Sequence, residues 1–182
     1  MIPSNLRLHL GQILATMAMF LAMLWINEQL FRWLEFAPGI NWIYLPAGVR
    51  LLSTLLFAEA GALGLLLVSW LVSFLFLFPD DPERAFIGGI LAALAPWLVY
   101  RGASRAWGFE VSLRNLTPRR LLVLALVYSM ASPLLHHLWF AWRGQDKLLH
   151  GLFVMFAGDL AGTLIVLYGI KAVLALLPAS AR

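Results

Sequence analysis

From Trp42 to Phe78 the chain runs for about 37 mostly apolar residues, with Arg50 and Glu59 as its only charges. A bilayer core of about 30 Å asks for about 20 helical residues. The stretch is therefore too long for one span and only just long enough for two. Ala58-Glu59-Ala60-Gly61 is the natural place for a tight turn, giving helices near 41–57 and 61–78. Pro46-Ala47-Gly48 offers an alternative, a short or re-entrant helix at 42–57. Broken backbone at depth is tolerated where it lines a cavity.

The rest of the chain has the same character. Of 182 residues 62% are hydrophobic and 12% charged, against about half and a quarter in a soluble domain. A first span covers roughly 8–30, too long for a signal-peptide core and without a small-x-small cleavage site. Pro79-Asp80-Asp81-Pro82-Glu83 is a helix boundary, with Asp81 to cap and Pro82 at the first helical position. Asn115-Leu116-Thr117-Pro118 repeats that logic. These signals predict further spans at about 82–107, 118–142 and 148–171. The predicted fold is an all-α polytopic transmembrane bundle of about six spans, with residues 1–182 as one integral membrane domain.

Arg101, Arg105, Arg114, Arg119 and Arg120 flank the connection between the fourth and fifth spans. The positive-inside rule makes that connection cytoplasmic. Six spans then place both termini, with Arg7, Lys171 and Arg182, in the cytoplasm. The expected location is a bacterial inner membrane. The net charge of +4 follows span ends, so it speaks for topology and membrane lipid rather than for nucleic acid.

Two charges lie deep in the apolar runs: Arg50, and Asp159 in Phe156-Ala157-Gly158-Asp159-Leu160-Ala161-Gly162. A charge at mid-bilayer costs roughly 2.5–3.5 kcal/mol even on lenient scales, so an intramembrane ionisable residue marks a site by default. Trp42, Pro46, Arg50 and Asp159 are the candidate ligand-binding residues. The blander readings are that Asp159 only bonds a hydroxyl such as Thr163, and that Arg50 snorkels to an interface. Gly158 and Gly162 form a small-xxx-small pair that lets another helix approach. Arg105, Trp107 and Arg114 are candidates for docking a partner, or else only fix topology. Adjacent His136 and His137 point about 100° apart on a helix and cannot act as an i, i+4 metal pair. With no cysteine, thiolate sites and cysteine nucleophiles are excluded. No phosphate loop, nucleotide fingerprint or nucleophile–base pair is present, so no enzyme activity, metal or cofactor is expected.

Trp42-Ile43-Tyr44-Leu45-Pro46-Ala47-Gly48 resembles the Trp-Pro-x-x-Gly segment of the first type of bacterial membrane-associated sensor (MASE) domain. Gly158-Asp159-x-x-Gly162 resembles that family's closing Gly-Asp-x-x-Gly helix. The likeness covers about residues 10–175. It implies a sensor-type bundle of the kind that usually precedes a diguanylate cyclase, phosphodiesterase or histidine kinase module, here standing alone. The leading expectation is a sensory or regulatory subunit. It would bind a small ligand, or another membrane or cytoplasmic protein, through a midplane polar pocket. A substrate-binding subunit of a vitamin-type transporter is the alternative by architecture, and a scaffold subunit of an envelope complex is the third.

Overall fold

Proline and a preceding acceptor open two of the helices. In the computed structural model, which describes residues 4–108, 116–145 and 148–176, Asp81 Oδ1 accepts the Arg84 N–H at 3.0 Å and Pro82 begins α3, Pro82–Trp107. Thr117 Oγ1 accepts the Arg120 N–H at 3.3 Å, and Pro118 begins α4, Pro118–Trp142. Each cap satisfies one of the N–H groups that a helix start leaves without a partner. The remaining helices are α1, Ser4–Phe31; α2, Pro46–Val72, continued by a π-turn, Ser73–Leu77; and α5, Leu148–Leu176. Between α1 and α2 lie a 3-10 turn, Arg32–Leu34, and a short antiparallel hairpin of β1, Glu35–Ala37, and β2, Ile40–Asn41.

Among the described residues five helices are long and apolar enough to cross a membrane. Their outward faces carry Leu14, Leu75, Leu138 and Leu149, the surface that lipid requires. Against the expected count of about six spans, with a short or re-entrant helix at 42–57 as the alternative for one of them, five long helices are found. The sixth was to be a helix at 41–57, but Asn41 still belongs to the hairpin and helical structure starts only at Pro46. The arm from Pro46 to Phe57 is about a dozen residues, or about 18 Å, well short of a bilayer core.

That arm is not collinear with the rest of α2. Ala58 has φ 50° and ψ −122°, the geometry of the first central residue of a type II′ turn. The chain folds back there, and a Cβ added at Gly61 would run into the Ser53 carbonyl. The turn falls in the expected segment, but its first arm is a short buried helix. Pro46 to Leu51, Ser53, Thr54 and Leu55 are all buried. The short arm and the long arm, from Glu59 onward, together contact α1, α3 and α5, while α4 joins α3 to α5. Tyr128, Phe20, Leu51, Leu65 and Val68 are fully buried at the centre.

Two ion pairs mark opposite ends of α3. Arg101 meets Glu59 at 3.2 Å beside the turn, and Arg143 meets Glu83 at 3.2 Å beside the hairpin end. All four side chains are about half exposed, so each pair adds about 0–1 kcal/mol. Their use here is as markers of level.

Candidate functional site

The approach to the short helix, from Trp42 to Leu45, is irregular backbone laid against α5. The Tyr44 N–H donates to the Gly158 carbonyl at 3.1 Å. A Cβ at Gly158 would collide with the Asn41 carbonyl, and one at Gly162 with the Tyr44 carbonyl. The glycine pair therefore admits a close neighbour, as expected, but that neighbour is the non-helical segment from Asn41 to Tyr44 rather than a helix. On the other side Asn27 of α1, fully buried, accepts the Leu45 N–H on its Oδ1 at 2.9 Å. Ala47 and Gly48 donate to the carbonyls of Tyr44 and Leu45, both at 3.1 Å. With Pro46 lacking an N–H, the first turn of the short helix keeps no spare donor near its start. Pro46 acts here through the backbone, and it is itself buried.

One turn on, Arg50 is only 8% exposed. Its guanidinium carbon stands 5.3 Å from the Phe20 ring centre and 5.2 Å from that of Tyr44, within cation–π range. Nε is buried without a hydrogen-bond partner. The Tyr128 hydroxyl lies beside the guanidinium, outside good hydrogen-bond geometry. Asp159, 1% exposed, lies next to Ser132, and neither Asp159 Oδ2 nor Ser132 Oγ makes a hydrogen bond within the protein. Arg50 and Asp159 belong to one cluster and feel each other's charge, but no nitrogen–oxygen pair between them comes within 4.0 Å. Buried polar atoms are normally paired. Elsewhere in the core Ser53, Ser129 and Thr163 also keep buried hydroxyls without partners.

A cleft of about 50 Å³ leads from this cluster to the hairpin end of the bundle. Arg50 and His136 lie on its inner wall, and Arg84, Phe78 and Pro38 at the hairpin end. Arg84 sits over the Phe78 ring, 4.2 Å from its centre, and reaches the Pro38 carbonyl at 3.5 Å. His136 Nδ1 donates to the Ser132 carbonyl at 2.8 Å. His137 turns away towards Gly151, and His150 stacks on Phe36 with ring centres 4.8 Å apart.

Of the sequence candidates, Arg50 and Asp159 come together with Pro46 just above them. Trp42 does not join them: it is 37% exposed, edge-on to Phe153, and absent from the cleft wall. Arg105 is exposed near the C-terminal end of α3. Trp107 packs on the core, and the Arg120 guanidinium lies 5.4 Å from its ring centre. Arg114 lies outside the described residues. Tyr128 and Ser132 carry no flag in the sequence analysis, and His136 enters it only as half of an excluded metal pair. They recur at i, i+4 and i+8 on α4, a polar stripe in an apolar helix, and that periodicity was available to be read.

No protein-family model, no curated protein and no solved structure matches this chain.

Proposed function

We propose that this protein is a multi-pass sensory or regulatory subunit of a bacterial inner membrane, with both termini cytoplasmic and no chemistry of its own. The observation that carries the reading is Arg50: a buried guanidinium without an ion pair and with its Nε lacking a hydrogen-bond partner, on a short helix that ends at the Ala58 break, at the inner end of a cleft. A permanent structural charge would be paired. One that is not paired suits a ligand that comes and goes.

The short helix supplies the element that responds. It is held by Asn27 and Gly158 at one end and by the Ala58 turn at the other. A ligand that interacts differently with two positions of this helix shifts their populations. Glu59, just past the turn, is tied to Arg101, two helical turns before the end of α3. The long arm beyond the turn packs along α3, and that packing would pass a movement towards Arg105 and the basic connection, where a cytoplasmic or membrane partner would dock. The resemblance to MASE-type sensor domains supports the same reading.

Purification in mild detergent, with identification of co-purifying proteins, tests the proposal. The expected companion is a signalling or envelope-regulatory protein whose recovery falls when Arg105 and Arg114 are neutralised. Recovery instead with an ATPase pair and a coupling membrane protein would replace the regulatory reading by transport.

A further inference from the structure

We propose that the cleft binds a compact free oxyanion, such as a small monocarboxylate or inorganic phosphate, on the Arg50 guanidinium, with entry past Arg84. This rests on the ligand-binding reading above and names the ligand's chemistry. Charge comes first. The cleft wall carries Arg50, Arg84 and His136 but no aspartate or glutamate. A narrow channel with low-dielectric walls and one sign of charge concentrates the opposite ion. Asp159, the one acid near Arg50, stands behind the wall rather than in it.

Donor geometry comes second. Arginine presents a planar fork that matches carboxylate and phosphate oxygens in pairs. The Phe20 and Tyr44 rings hold this guanidinium. The first turn of the short helix has its N–H groups engaged, so the side chains and not the helix end would hold the anion. Size comes third. A cavity of about 50 Å³ takes an ion of a few heavy atoms and excludes a vitamin or a nucleotide. At the hairpin end Arg84 lies over Phe78 and near the Pro38 carbonyl, placed to draw an anion in before it meets Arg50.

The experiment is a titration of the full chain in neutral detergent at constant ionic strength, read by melting temperature and calorimetry. The probes are acetate, phosphate, chloride and a short-chain phosphatidylglycerol below its micelle concentration. Saturable binding of acetate or phosphate, in preference to chloride, is expected. Arg50→Gln should weaken it by about 10- to 100-fold, the loss that goes with a hydrogen-bonded charge. Arg84→Gln, at the mouth and away from the core cluster, should weaken it by about 3-fold and flatten its salt dependence. Absence of saturable binding by either oxyanion to the wild-type chain overturns the proposal whether or not any variant folds. Binding of the phospholipid alone overturns it as well, as does wild-type affinity in folded Arg50→Gln. Each of these results leaves the regulatory reading standing if the signalling companion still co-purifies. Oxyanion binding together with an ATPase companion supports the proposal and removes the regulatory reading.

Discussion

Arg50 and Asp159 show how a charge can be kept inside a bilayer without a direct ion pair. Burial of an isolated charge costs several kcal/mol. The guanidinium offsets part of that through two aromatic faces and through the charge of Asp159, which is close but not in contact. The carboxylate in turn lies beside Ser132. If the two residues stabilise each other across this cluster, removing either leaves the other buried and poorly compensated, while removing both does not. Arg50→Leu and Asp159→Leu should each lower stability, by less than the about 3–5 kcal/mol lost when a buried pair in contact is broken. The double variant should lose at least about 1 kcal/mol less than the sum of the two. Reversible unfolding in mixed micelles measures the cycle, and strict additivity would mean that the pair does not communicate.

At the scale of elements, the close fit of the segment from Asn41 to Leu45 against α5 governs where the short helix sits. Two backbone carbonyls, those of Asn41 and Tyr44, occupy the space that side chains at Gly158 and Gly162 would need. Backbone cannot move aside as a flexible side chain can. Gly158→Ala and Gly162→Ala should each destabilise by about 1–3 kcal/mol, as overpacking does. Gly169→Ala on the same helix provides the control. A Cβ there meets nothing within 4 Å, so the better helix propensity of alanine should make it neutral or up to about 1 kcal/mol stabilising. Thermal melts of the three variants decide the matter, and equal effects at all three positions would show that the close approach does not constrain the fold.

The same elements mark how far the sequence could be read. The starts of α3 and α4 were legible because Asp81-Pro82 and Thr117-Pro118 act within one helical turn of themselves. The break near Ala58 was legible from length, since 37 apolar residues do not make one span. Its sharpness was not, because alanine gives no local signal for a positive φ, a conformation that costs on the order of 1–3 kcal/mol and persists only where packing imposes it. Asn27 as the cap of Leu45, and a non-helical segment as the partner of Gly158, depend on contacts 18 and more than a hundred residues apart in sequence. Within the site the two charges stood out, and the α4 hydroxyls beside them did not.

At the scale of the whole molecule, whether the broken segment crosses the membrane would decide on which sides the ends of the chain lie. Five long helices alone would place the two termini on opposite faces of a membrane. The segment from the hairpin to the turn would alter that count. Pro38 touches Arg84 near the start of α3, and Glu59 pairs with Arg101 towards its end. Along α3 those two levels are separated by about 25 Å, most of the thickness of a bilayer core. An irregular stretch followed by a short helix therefore covers a distance close to that of a full helix. Its backbone is satisfied by Asn27, by Gly158 and by its own helical bonds, as buried irregular backbone in a membrane must be. We expect it to complete a sixth crossing, so that the N-terminus, the basic connection near Arg114 and Arg182 would all face the cytoplasm, the side that the positive-inside rule assigns to a cluster of arginines. Reporter fusions after Arg114 and after Arg182 should both give cytoplasmic signals, with fusions at Gly39 and Gly144 on the opposite side. A cytoplasmic N-terminus combined with an extracytoplasmic Arg182 would mean that the broken segment does not cross and that five spans are the whole topology.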